Sequence, residues 1–199
     1  MIKKIFSKFI KAENIINFKM NHSVKGFTLI ELLIVIAILA ILATAVVLVL
    51  NPAQILAQAR DAQRISDLGS VKSAIALYMT TSTSSPVMIA GPRSTNNTNC
   101  PWGVTACTVP LPANLTKVDS NGWVGANLTL TSGGSSLGSL PIDPLNNSTS
   151  SQYSYRADAV AFTFKLIGVL ESVKYAPKMN TDGGSLGAGI YEIGTNLSL

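Results

Sequence analysis

Histidine is almost absent from this chain: there is one, His22, in 199 residues. Everything after it therefore has no histidine triad and no imidazole metal site. Cysteine is nearly as scarce. Cys100 and Cys107 are the only two, and their spacing is not the C-x-x-C of zinc or redox pairs. No phosphate-cradling G-x-x-x-x-G-K and no dinucleotide G-x-G-x-x-G occurs, and the runs SGGSSLGS and DGGSLGAG read as loops. A charge excess of either sign is missing beyond residue 26, where nine basic residues face nine acidic ones. A nucleic-acid-binding domain carries a basic stripe on its folded part, and this one has none. The chain therefore reads as neither an enzyme nor a nucleic-acid binder.

What it does hold is one long apolar run. Residues 27–50, FTLIELLIVIAILAILATAVVLVL, would span about 36 Å as a helix, enough for a hydrocarbon core of about 30 Å with some tilt. This run supplies much of the 47% hydrophobic content and the mean hydropathy of +0.36. Ahead of it, Lys3, Lys4, Lys8, Lys11, Lys19 and Lys25 stand against Glu13 alone, which accounts for the whole formal charge of +5. Basic residues stay on the cytoplasmic side, so the C-terminal portion is expected outside. One acid, Glu31, interrupts the run near its start, at a cost of roughly 2.5–3.5 kcal/mol at mid-membrane depth. A cut between Gly26 and Phe27 would place a new amino group one helical turn from Glu31. Between neighbouring copies, that amine and that acid would neutralise each other in lipid.

The block Gly26-Phe27-Thr28-Leu29-Ile30-Glu31, followed by an unbroken apolar helix, resembles the class III signal of type IV pilins and type II secretion pseudopilins. The resemblance implies cleavage after Gly26 by a prepilin peptidase and methylation of the new N-terminus at Phe27. It also implies packing of the anchors into a filament core, with Glu31 facing the terminal amine of an adjacent subunit. The implied partners are further copies of the chain, the peptidase, the pilus or secretion assembly machinery and the membrane.

Four segments follow: a leader at 1–26, a transmembrane and polymerisation helix at 27–50, its amphipathic continuation at 51–79 and a β-rich head at 80–199. Met20 opens a second possible leader, MNHSVKG; the preceding 19 residues are either a mis-assigned start or a basic amphipathic segment with Ile2, Ile5, Phe6 and Phe9 on one face. Beyond Leu50, Leu68, Val71, Ile75 and Tyr78 share a helical face. The sector one to two turns earlier carries Arg60, Arg64 and Asp67, so residues 53–64 are expected to meet other subunits or solvent and 65–79 to pack under the head. The charges Arg60, Asp61, Arg64 and Asp67 read either as a solvated face or as inter-subunit salt bridges. Pro52 predicts a kink or an unwound turn, at a cost of about 3 kcal/mol within a helix.

From Thr80 the chain turns rich in Ser, Thr, Asn, Gly and Pro. In an exported domain, Cys100 and Cys107 are expected to form a disulfide. Strands are expected at 122–131, around Trp123, and in a hairpin running from Tyr153 to Arg156, turning at Ala157-Asp158 and returning from Val160 to Leu170. In that hairpin Tyr153 and Tyr155 share one face, as do Phe162 and Phe164. A turn at Asp182-Gly183-Gly184 leads to a last short strand near 190–193. The fold expected is α+β: a long N-terminal helix on a small antiparallel sheet of three or four strands, as in pilins. No cofactor is required. The resemblance to secretion pseudopilins raises calcium, for which Asp143, Asp158 and Asp182 could supply oxygens, although their spacing matches no EF-hand loop. Asn-x-Ser/Thr triplets at Asn114, Asn127 and Asn196 admit glycosylation without requiring it.

The expected function is that of a filament subunit in the cytoplasmic membrane, with its head outside and a surface or periplasmic filament as its assembled form. The alternatives are a secretion pseudopilin, or a monomeric tethered binding domain using Trp102 or Trp123 on glycans.

Overall fold

The computed structural model describes residues 26–96, 106–148, 151–187 and 189–199. Two compact units divide the chain, the first ending at Val49 and the second running from Leu50 to Leu199.

Helix α1 spans Leu29–Leu50. It is apolar on every side, with a 19-residue window, Leu29–Val47, none of which is buried. A helix that is hydrophobic all round has no polar face to give to water, so it belongs in a core or a bilayer. Thr44 hides its hydroxyl by donating it to the Ala40 carbonyl at 2.9 Å.

Helix α2 spans Pro52–Thr81. Between the two helices Asn51 takes a left-handed conformation at φ 42°, and its side-chain oxygen accepts the Gln54 N–H. Asparagine is among the few residues that tolerate this region, and it is also a preferred N-cap. Pro52 thus stands at the first position of a new helix, where its missing N–H has no intrahelical partner to lose. The helix is interrupted at Asn51, one residue before the proline, which is the unwound turn expected here, and Asn51 caps α2.

Helix α2 buries Ala57, Asp61, Arg64, Leu68, Val71, Ala74, Ile75 and Tyr78. The expected apolar face from Leu68 onward is therefore in the core. The expectation that residues 53–64 meet only solvent or other subunits is corrected: Ala57, Asp61 and Arg64 lie under the head of their own chain.

The sheet has four antiparallel strands in the order β1-β2-β3-β4: β1 Arg93–Ser94, β2 Ser154–Asp158, β3 Thr163–Gly168 and β4 Tyr191–Gly194. The α+β expectation is borne out. β2 and β3 pair from Ser154 with Ile167 to Asp158 with Thr163, and β3 and β4 from Lys165 with Gly194 to Gly168 with Tyr191. The core between α2 and the sheet collects Leu68, Val71, Ile75 and Tyr78 with Trp123, Leu128, Leu140, Tyr153, Tyr155, Phe164 and Leu166.

Two strand expectations fail for local reasons. Residues 122–131 form no ladder strand. Trp123, Val124 and Ala126 are buried without alternation, and Leu128–Leu130 is a 3-10 turn that the Asn127 side chain caps by accepting the Thr129 N–H. Short polar side chains that bond the nearby backbone compete with the sheet in this way. The hairpin turns at 159–162 rather than at Ala157-Asp158. Asp158 still pairs with Thr163, and its carboxylate accepts the N–H groups of Val160 and Ala161. Phe162 leaves the expected alternation with Phe164 and sits at φ 52°. The dipeptide Arg93-Ser94 carries too little pattern to read as a strand.

Candidate functional site

The N-terminal motif is built around Thr28. Gly26 and Phe27 precede the helix, and Phe27 is 82% exposed. The Thr28 hydroxyl oxygen accepts the Glu31 N–H at 3.2 Å, and the Thr28 carbonyl accepts the Leu32 N–H at 3.2 Å. Threonine followed three residues later by glutamate is the spacing of a capping box, here made on the threonine side. Glu31 also lies in the first turn, where the helix dipole favours an acid. Among the described residues its carboxylate has no hydrogen-bond or ion-pair partner. The arrangement holds one unpaired acid at a fixed place on an otherwise apolar helix, a turn away from Phe27.

Within the head, the main electrostatic feature is an ionic cluster at the N-terminal half of α2. Arg64, 1% exposed, donates Nε and Nη2 to Asp143 at 2.7 and 3.1 Å, and Nη1 to Asp61 at 2.9 Å and to Glu171 at 2.7 Å. Arg60 donates to both oxygens of Glu171 at 2.6 and 2.8 Å. Asp61 in turn accepts the N–H groups of Glu171 and Ser172, and Asp143 accepts those of Leu145 and Asn146. Burial by itself would lower the Arg64 pKa, but its bonds to Asp143, Glu171 and Asp61 more than reverse that. Glu171 is held at about 2, first by the Arg60 hydrogen bonds and then, against some burial, by Arg64. Asp67 accepts the Tyr153 hydroxyl at 2.8 Å; burial raises its pKa despite that bond. The choice between a solvated face and inter-subunit bridges thus has a third answer. The charges of α2 are used to fasten two loops of their own head. Asp143 sat in a turn-rich Pro-x-Asp-Pro stretch, and nothing marked Glu171.

A second buried pair closes the C-terminal loop. Lys165, fully buried on β3, donates to Glu192 at 2.8 Å and to the Leu197 carbonyl at 2.9 Å. The Glu192 carboxylate also accepts the N–H groups of Ser185 and Leu186. A Cβ at Gly184 would run into that carboxylate, so a larger residue there has to displace it.

The three aspartates considered for calcium stand in separate settings. Asp143 is on Arg64, Asp158 in the hairpin loop, and Asp182 accepts the N–H groups of Gly184 and Glu192. Among the described residues no group of three or more His, Cys, Asp or Glu is placed to hold a metal ion. Trp123 is fully buried, with its indole N–H on the Pro141 carbonyl at 2.9 Å and its ring 5.9 Å from that of Tyr153. It is therefore a core residue, and a glycan surface built on it is ruled out. Trp102 and Cys100 lie outside the described residues. Cys107 is buried, and no described cysteine is a free thiol.

An exposed apolar helix opened by this motif points to membrane anchoring and to a structural protein. The protein-family model described as the prokaryotic N-terminal methylation motif matches residues 21–47. The chain therefore carries the class III signal of type IV pilins and pseudopilins, as its resemblance implied. The match is confined to that N-terminal stretch; it supports processing of the pilin or pseudopilin kind and implies a prepilin peptidase and a pilus-assembly context. No curated protein and no solved structure matches the chain.

Proposed function

We propose that this chain is a structural subunit of a type IV pilus-like filament, cut between Gly26 and Phe27 and polymerised through α1. The observation that carries the reading is the Glu31 carboxylate, without a partner among the described residues, on an exposed apolar helix. The new Phe27 amine of a neighbouring subunit is the partner that neutralises it. Cleavage removes the lysine-rich leader, which until then holds the N-terminus on the cytoplasmic side and the head outside. Helix–helix packing then supplies most of the cohesion, and the Glu31–amine contact sets the axial register. Cys100 and Cys107 bridge within the long connection between β1 and β2. No catalytic step is assigned to the protein.

The test compares wild type with Glu31→Ala in cells. Wild type is expected in the pelletable fraction sheared from the surface, with an N-terminus starting at Phe27. Glu31→Ala is expected to remain inserted in the membrane and to lose its sheared filaments. Normal filament yield from that variant rules out the role given to Glu31, and an intact leader on the purified protein rules out the whole reading.

A further inference from the structure

Beside the edge strand β4, a cavity of about 290 Å³ is lined by Lys72 of α2, Lys178 and Thr181 of the short helix α3 (Lys178–Thr181), Asp182, and Tyr191 and Glu192 of β4. The charges in it are unevenly used. Glu192 is occupied by Lys165 and two backbone N–H groups. Asp182 uses each oxygen once, towards Gly184 and Glu192. Among the described residues the side-chain ammonium of neither Lys72 nor Lys178 has a hydrogen-bond or ion-pair partner. Both acids of the cavity hold groups of their own chain, Asp182 with acceptor positions to spare, and its two ammonium groups hold none.

We propose that this cavity binds an acidic sugar, a single pyranose ring bearing a carboxylate, such as the terminal uronic acid of a polysaccharide. The two lysines take the carboxylate. An ionised carboxylate has about four acceptor positions, so Asp182 retains capacity for sugar hydroxyls, and Thr181 adds a donor and acceptor. Tyr191, with Ile193 and Leu197 also in the lining, offers apolar surface to the C–H face of a ring. The volume lies just below the range of roughly 300–1,000 Å³ typical of small-molecule sites, which suits one ring and excludes a nucleotide or a folded peptide. A bare phosphate would engage the lysines but leave Asp182 and Tyr191 without a role. A divalent cation would meet two ammonium groups. The site is separate from the N-terminal motif, so it stands or falls independently of the filament reading.

The experiment uses the full chain in a non-ionic detergent and three probes: methyl glucuronide, the neutral methyl glucoside and inorganic phosphate, each titrated by calorimetry and by saturation-transfer NMR. The glucuronide is expected to bind saturably in the millimolar range, and at least about tenfold more tightly than either of the other two. Lys72→Gln with Lys178→Gln should weaken it by about tenfold or more with an unchanged melting temperature, since neither lysine holds another residue. Tyr191→Leu should weaken the glucuronide and leave phosphate unaffected. Equal binding of the neutral glucoside, phosphate binding as tightly as the glucuronide, or full affinity in the folded double-lysine variant would each overturn the proposal, as would the absence of saturable glucuronide binding.

Discussion

At Arg64 a single guanidinium faces three carboxylates, two of them fully buried. Breaking a buried ionic set by removing one partner leaves the others desolvated, and this typically costs about 3–5 kcal/mol. Arg64→Ala is expected to lower the stability of the head by that amount, read as a drop in the midpoint of denaturant unfolding. A loss below about 1 kcal/mol, the range of exposed pairs, would mean that the cluster is solvated after all. Glu171 carries the pH dependence of the same cluster. Its pKa falls from 4.5 to about 2 on folding. A lowered folded-state value means that its contribution is complete above pH 4.5 and is lost as pH falls from there towards 2. Melting temperatures measured across that window should fall for wild type and fall less steeply for Glu171→Gln. Parallel curves would remove Glu171 from the account.

The junction of α1 and α2 is an argument about elements. Were Pro52 inside one continuous helix, replacing it by alanine would relieve about 3 kcal/mol. At the first position of a capped helix it has little to relieve. Pro52→Ala is therefore expected to change head stability by no more than about 0.5 kcal/mol, whereas Asn51→Ala loses both the cap and a tolerated left-handed residue, a cost of about 1–2 kcal/mol. Thermal unfolding of the two variants side by side decides between cap and kink; a large gain from Pro52→Ala would favour the kink. The 3-10 turn at Leu128–Leu130, capped by Asn127, shows the same competition at smaller scale. Local side-chain-to-backbone bonds settle where a ladder can form.

The whole molecule joins an exposed apolar helix to a head with a core of its own. Every described residue of α1 with a defined side-chain environment is exposed, while α2 and the sheet enclose a continuous core. The loop between α2 and β2 is long and weakly charged, and the proposed Cys100–Cys107 bridge would close a short ring within it, worth about 2–3 kcal/mol on the chain-entropy estimate. Reductant is expected to lower the melting temperature of wild type and to leave a Cys107→Ser variant unchanged. An identical response from both would show that the two cysteines are not joined.

Sequence alone determined the anchor, because a lipid span needs nothing beyond composition and length, and the motif at Gly26, Phe27 and Glu31 is contiguous. It also determined the apolar face of α2 from Leu68 to Tyr78 and the presence of β2, β3 and β4, since helical spacing and strand alternation are written locally. Only the tertiary structure decided what the charges of α2 do. Arg64 and Asp143 lie 79 residues apart and Arg60 and Glu171 111 apart, and no local pattern marks such pairs. The same holds for Lys165 and Glu192, for the burial of Trp123, and for the cavity that gathers Lys72, Lys178 and Tyr191 from three elements. Short-range periodicity records which face of a segment is apolar. The pairing of one buried charge with another depends on which loops the completed fold brings over that face.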